Sequence, residues 1–372
     1  MVAERKRILI VHSSLHIGGA EEVTANLCRR IDKSRFQLMV CCLKEKGVVG
    51  ERIEEQGTPV IGVAQKKSGK TDYFTSLQLR KIIKQHNIQL VHSHDVHAFT
   101  DCSLCKLSSP GLRFVHTFHF GNYPDRAQPF QRLERLFWRV PSQLVAVSNR
   151  QKEGIRALYN MPDSRIQTVW NGVDVESNAG DFEAVDRCRS QGRVIIGSIN
   201  TLIEQKGMFD LLKVAAQMKQ RHPGRFAFLV VGDGHLRDPL QKEIDAQDLQ
   251  EDVILMGWVK QASMVFLPHL DIFFQPSLWE AMSMVLLEAM ANGKAIVATG
   301  VGETPYILEE GRHGRVVPST DITAMTDALE SLVLDGDLRR QYGDAAKQRY
   351  LESFTAEKMA RRYEALYDSL LE

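Results

Sequence analysis

The stretch FFQPSLWEAMSMVLLEAMANGK, from Phe273 to Lys294, carries two acids, Glu280 and Glu288, with seven residues between them. Glu280 follows an apolar run that ends at Pro276, which places it on a loop. Residues 285–291 have the composition of a helix and carry Glu288 in its first turns. A loop carboxylate can then meet a ligand at the helix N-terminus and a helical one can meet it further along. Free amides near Ser283, Met284 and Val285 would complete an anion site. A second candidate is Lys206, at the end of a polar loop that runs from Gly197 into a helical pattern over 208–218. An ammonium held there neutralises a diphosphate as a point charge. Gly18 and Gly19 follow the first apolar run and open a helix near Ala20, so backbone and helix dipole can both approach a phosphate. Gly232-Asp233-Gly234 closes another apolar run and reads as a turn bordering the same site.

Histidines form a further group: His92, His94 and His97 after one apolar run, His116 and His119 after the next. His116 is expected where a strand leaves its sheet, at a cleft edge. The His116/His119 spacing sits on a loop without carboxylate or thiolate support, so no metal is expected. Cys102 and Cys105 have CxxC spacing but no second ligand pair, and the six cysteines read as reduced thiols.

The elements that must position these groups are short β-branched runs separated by longer amphipathic segments. Strands are expected at 6–12, 36–43, 88–92, 113–117, 143–147 and 165–170, and again at 193–199, 225–231, 252–256, 270–275 and 294–298. This alternation implies βαβ units and two doubly wound parallel sheets, an α/β architecture of two Rossmann-like domains facing across a cleft. Residues 175–192 lack periodicity and read as a connector. The expected division is therefore 1–174, a linker at 175–192, 193–354, and a C-terminal helix at 355–372 that packs back on the first domain. In that helix Met359, Tyr363, Leu366 and Leu370 mark one buried stripe.

A chain of 372 residues that is 44% apolar and 25% charged suits two globular domains and excludes disorder. The net charge of +1 hides an asymmetry. Residues 1–170 hold 26 Lys and Arg against 15 Asp and Glu, about +11, and the remainder holds 21 against 31, about −10. Nothing resembles a zinc finger or an RNP motif, so an anionic membrane surface is preferred to nucleic acid as partner of the basic half. A helix over 130–140 would put Phe130, Leu133, Phe137 and Val140 on one face, with Arg132, Arg135 and Arg139 beside it. The charged start, leading only into Ile8-Leu9-Ile10-Val11, is read as no signal peptide, and the expected location is cytoplasmic, with peripheral contact at the inner face of the membrane.

These residues together resemble the retaining glycosyltransferases of family 4, which have the GT-B fold. The resemblance rests on Gly18-Gly19-Ala20-Glu21, His116, Val147-Ser148, Asn171-Gly172-Val173-Asp174, Lys206-Gly207, Gly232-Asp233-Gly234, and the Glu280 to Glu288 block followed by Ala289-Met290-Ala291. It implies transfer of a hexose from a UDP- or GDP-sugar to a glycan or lipid-linked acceptor, without a metal or other cofactor, in surface polysaccharide assembly. Carried over by position, Glu288 would grip the ribose, Glu280 the donor sugar and Lys206 the diphosphate. Backbone around Met256–Val259, including Trp258, would meet the base, Gly19 would approach the phosphate and His116 would lie beside the sugar. The family's Gly-Arg ahead of the lysine is replaced by Asn200-Thr201, the Gly after the first acid by Ala281, and the later Gly-Gly-x-x-Glu by Gly302-Glu303-Thr304-Pro305-Tyr306. These departures lower the positive potential, so an inactive GT-B module that binds without turnover is the alternative. A nicotinamide oxidoreductase is disfavoured because no strand is followed by GxGxxG with an acid ~20 residues later.

Overall fold

The computed structural model describes residues 4–63, 75–123, 128–176 and 178–372. The chain forms two compact units: residues up to Gly172 with Ala356–Glu372, and Val173–Thr355. In the first, strands β1 (Lys6–Ser14), β2 (Phe36–Glu45), β3 (Val60–Gly62), β4 (Leu90–Ser93), β5 (Arg113–Phe118), β6 (Gln143–Ala146) and β7 (Ile166–Thr168) pair in the order β3-β2-β1-β4-β5-β6-β7. In the second, β8 (Val194–Ile199), β9 (Phe226–Val231), β10 (Val253–Gly257), β11 (Ile272–Gln275), β12 (Ala295–Thr299) and β13 (Arg315–Val317) pair in the order β10-β9-β8-β11-β12-β13.

Every named strand pair is parallel. That follows from the apolar runs: Ile8, Leu9, Ile10 and Val11 are all fully buried, as a strand covered on both faces requires. In each unit the order reverses beside the first strand, between β1 and β4 and between β8 and β11. At such a point the loops leaving two neighbouring strands diverge to opposite faces and open a crevice at the strands' carboxyl ends.

The edge strands β3 and β13 carry three residues each, too few to show periodicity, and sequence patterning passed over both. The supposed connector over 175–192 contains a helix, Glu183–Ser190, which buries Val185 and Cys188. Two apolar residues among charged ones give a helical stripe too thin to read. Ala356–Leu371 is helical and belongs to the first unit, where Met359, Tyr363 and Leu366 are buried as expected, while Tyr367 is buried in place of Leu370, which is only half-buried.

The arginine-bearing helix runs Gln128–Phe137, ending before the expected Val140. Phe137 and Val140 pack against the core, and the buried residue of the helix is Glu134, whose Oε2 accepts from Tyr123 Oη at 2.9 Å and Tyr159 Oη at 2.6 Å. All six cysteines are buried and free.

Candidate active site

In the second unit, Lys206 and Glu280 leave the two central strands β8 and β11 and meet at the switch point. Lys206 Nζ donates to Glu280 Oε1 at 2.6 Å, and Ser277 Oγ donates to the same oxygen at 2.9 Å. The Glu280 side chain is 9% exposed and that of Lys206 22%, so the carboxylate is held inside while the ammonium keeps one side open.

Backbone contacts fix the two loops on each other. Leu278 N donates to Gln205 O at 2.7 Å and Gln205 Nε2 to Trp279 O at 3.0 Å. Gly207 sits at φ +65°, and a Cβ there would lie 2.0 Å from Pro276 O, so only glycine permits this approach. The β12 loop braces the acid from behind: Gly302 has φ +54°, and a Cβ on it would lie 2.4 Å from Glu280 O.

The helix Met284–Ala291 begins directly beyond. Ser283 caps it, its hydroxyl accepting from Leu286 N at 3.3 Å while donating to Gln275 Oε1 at 2.7 Å. Most of this helix is buried, but Val285 and Glu288, one turn apart, are half-buried on its open face. Glu288 Oε2 accepts from Ser263 Oγ. Gln275 Nε2 and Asn200 Oδ1, at the carboxyl ends of β11 and β8, are buried without a hydrogen-bond partner. Buried amide groups in that state mark a place where a ligand or an ordered water belongs.

Gly232 works as a turn. Its φ is +138° and a Cβ would come 1.7 Å from Asn200 O, so its freedom is used against the protein's own backbone. Trp258 follows β10 directly and is 59% exposed.

In the first unit Gly18 caps the helix Gly19–Arg30 without a side-chain bond, and Gly19 is that helix's first residue. Glu21 shares this helix start, and burial, with Asp95 and Glu22 near it, raises its carboxyl above the usual range.

His116 does not stand where the strand leaves the sheet. It lies inside β5, 2% exposed, with Nδ1 2.8 Å from Ser93 Oγ and its ring 4.3 Å from Phe99 and 4.5 Å from Phe118. The strand extends to Phe118 because 113–118 is apolar enough on both faces to be covered, and His116 falls on a covered position.

His12, His92, His94 and His119 cluster around the β1/β4 switch point, whereas His97 is exposed. His12 stacks on His94 at 4.8 Å, His92 lies 4.2 Å from His94, and His94 Nδ1 is 2.9 Å from His119 Nε2. Burial lowers the pKa of His12 to about 4 and of His119 to about 3, and holds His92 and His94 well below the usual value. These rings are therefore neutral at pH 7. Asp95 beside them accepts from Ser13 N and Ser13 Oγ, both at 2.6 Å, and from the amides of His97 and Ala98. Burial opposes its charge, but His12 and these donors hold the carboxyl below the usual range. Among the described residues no group of three or more His, Cys, Asp or Glu is arranged to hold a metal.

Residues 17–177 match the family model Glycosyltransferase Family 4, and residues 186–349 match Glycosyl transferases group 1. The chain is a GT-B glycosyltransferase related to both families. It is 29% identical over 307 residues to the putative glycosyltransferase EpsF of Bacillus subtilis, covering 79% of each chain. It is 22% identical over 385 residues to an Escherichia coli UDP-Gal:alpha-D-GlcNAc-diphosphoundecaprenol alpha-1,3-galactosyltransferase, covering 99% of this chain and 98% of that one. Among solved structures, Anabaena HepE in complex with UDP and glucose superposes with a TM-score of 0.84 at 18% identity, covering 98% of this chain and all of that one.

Sequence reasoning about this glycosyltransferase had singled out Lys206 and Glu280, and the fold brings them into direct contact. Ser277 and Gly302, which hold Glu280, were passed over. For Gly302 the signal was its place in the altered Gly-Gly-x-x-Glu block; Ser277 had none, because serines are common in loops. Asp95 was missed although it stands between His94 and His97, in a spacing that had drawn notice for its histidines alone.

Proposed function

We propose that this glycosyltransferase moves a hexosyl group from a nucleotide diphosphate donor, a UDP- or GDP-sugar, to a glycan or lipid-linked acceptor with retention at the anomeric carbon. The observation that carries the reading is the Lys206–Glu280 pair at the β8/β11 switch point, beside the capped N-terminus of Met284–Ala291. Support for the donor class comes from HepE, whose structures hold UDP, glucose and UDP-glucose. Support for a lipid-linked acceptor comes from the Escherichia coli relative, whose name specifies a diphosphoundecaprenol acceptor.

In this reading Glu288 takes the ribose hydroxyls, Glu280 the sugar hydroxyls and Lys206 the diphosphate. Backbone beside Trp258 meets the base. A diphosphate competes with Glu280 for the Lys206 ammonium, which frees Glu280 to accept from the sugar. As the C1–O bond to the leaving phosphate breaks, the acceptor oxygen bonds C1 on the same face and the departing phosphate takes the acceptor proton. Charge grows on that phosphate, and each preorganised donor there contributes roughly 2.7–4 kcal/mol.

No described helix is long and apolar enough to cross a membrane, and the reading places the enzyme in the cytoplasm with peripheral contact at an anionic leaflet. A second reading, binding without turnover, is favoured by Thr201 in the place of the family's arginine and by buried Glu303 beside the β12 loop.

A thermal-shift panel of UDP, GDP, ADP and TDP with their sugars tests the donor class. A true donor at 100 times its Kd stabilises by about 2.7 kcal/mol. Calorimetry on Glu288→Ala should show affinity for that nucleotide reduced by roughly 1.5–3 kcal/mol, and unchanged affinity removes Glu288 from the site. Donor hydrolysis or transfer separates the enzyme from the inactive binder.

A further inference from the structure

The helix Arg237–Ala246 of the second unit opens just beyond the Gly232-Asp233-Gly234 turn, and its first residue is a half-buried arginine. Among the described residues the Arg237 guanidinium makes no hydrogen bond, ion pair or ring contact. An exposed cation such as Lys260 is hydrated and needs no partner. A guanidinium partly withdrawn from water does need one, because burying a charge without a partner costs free energy. Its place in the first turn of a helix adds to that cost, since the helix dipole is positive there. Two unfavourable terms on one side chain mark a donor whose acceptor is a ligand.

Arg237 lies against the end of β10. Gly257, the last residue of that strand, has φ +75°, and a Cβ on it would come 3.2 Å from Arg237 Nη1 and 3.8 Å from Nη2. The absent side chain leaves the guanidinium its room at the carboxyl end of the sheet, where doubly wound folds bind ligands. β9 separates β10 from β8. At about 4.8 Å per strand, Arg237 therefore stands roughly 10 Å across the sheet from the strand whose loop carries Lys206. The loop leaving β10 runs from Gly257 to Ser263, whose Oγ donates to Glu288 Oε2. One short loop thus joins Arg237 to Glu288, while Lys206 stands two strands away. That is the order in which base, ribose and diphosphate follow one another in a nucleotide, and the inference rests on the donor reading that gives Glu288 the ribose and Lys206 the diphosphate.

A guanidinium carries N–H donors and no acceptor. Uracil, thymine and guanine present carbonyl oxygens that accept from it, guanine through O6 and N7 together. Cytosine and adenine carry an amino group in the place of that carbonyl, so a donor would face a donor. The backbone of Met256–Val259 offers both N–H and C=O groups and suits either kind of base. We propose that Arg237 reads the nucleobase of the donor, giving its N–H groups to a base carbonyl and so selecting uracil, thymine or guanine over cytosine and adenine.

The test is calorimetry on the full chain with UDP against CDP and GDP against ADP, pairs that differ at the edge Arg237 reads. UDP or GDP should bind at least about tenfold more tightly than its amino counterpart. In Arg237→Gln, whose amide both donates and accepts, that gap should close to within about threefold. An unchanged unfolding temperature without nucleotide confirms that the variant is folded. The wild-type comparison needs no variant, and affinities within about twofold in both pairs overturn the proposal. So does a gap that survives in Arg237→Gln, or a loss that falls equally on UDP and CDP, since the cation would then serve the phosphates. Glu288→Ala reads the donor site separately and should weaken every nucleotide regardless of base. If it does so while Arg237→Gln keeps the gap, this inference fails alone. If no nucleoside diphosphate binds the wild type, the donor reading fails with it.

Discussion

Acidification from pH 7 to pH 5 should destabilise the first unit through its buried histidines. In the unfolded chain each imidazole titrates near pH 6.5, whereas in the fold His12 is held to about 4 and His119 to about 3 by burial. Below pH 6.5 the unfolded state thus binds protons that the native state refuses, and native stability falls with pH until the folded values are reached. For a group shifted this far the loss between pH 7 and pH 5 is about 2 kcal/mol, so His12 and His119 together contribute about 4 kcal/mol. His92 and His94, displaced the same way, add to the loss. Partners cannot absorb the extra charge cheaply. His92 is fixed between Tyr367 Oη at 2.7 Å and Thr117 Oγ1 at 2.8 Å, and His12 meets Thr24 Oγ1 at 2.7 Å. Tyr363 and His116 are buried neighbours, and Asp95 already has its donors. Glu21 acts in the opposite sense, since its raised carboxyl binds a proton more readily in the fold. The exposed carboxylates act mainly below about pH 5. The total is a large part of the 5–15 kcal/mol typical of a folded protein. Urea unfolding at pH 7, 6 and 5 measures it, followed through Trp138 and Trp170 of the first unit with Trp258 and Trp279 changed to Phe. His119→Gln should reduce the difference by about 2 kcal/mol. A change below about 1 kcal/mol between pH 7 and pH 5 would refute the reasoning, because it would mean that the stack is hydrated or takes up protons without opening.

Gly207→Ala should destabilise the second unit by about 2–5 kcal/mol, from the left-handed backbone and the collision with Pro276 O, and denaturant unfolding checks it. Thr201 is exposed, so Thr201→Arg should be accommodated and should tighten UDP binding by roughly tenfold in calorimetry. No gain would mean that another cation already serves the diphosphate. His116→Ala should destabilise the first unit by roughly 2–5 kcal/mol in urea unfolding, because its buried ring packs on Phe99 and Phe118. A loss below about 1 kcal/mol would refute a packed role for that ring.

The sequence by itself determined the alternation of apolar runs and helical segments, because strands covered on both faces must be apolar throughout, as Ile8–Val11 and Phe226–Val231 are. It also determined the chemistry-bearing loops, since Lys206, Glu280, Ser283 and Glu288 follow strand ends that local patterning can find. Short elements escaped it: β3, β13 and the helix Glu183–Ser190 are held by neighbours, and three to eight residues carry too little periodicity to announce themselves. What only the tertiary structure decided is which loops meet. Strand order places β8 beside β11 although 72 residues separate the end of one from the start of the other, and that order brings Lys206 onto Glu280. Strand order likewise sets β1 beside β4, closing His12, His92, His94 and Asp95 into one buried cluster. Long-range pairing of this kind is fixed by the packing of the whole sheet, and no local stretch of sequence contains the information.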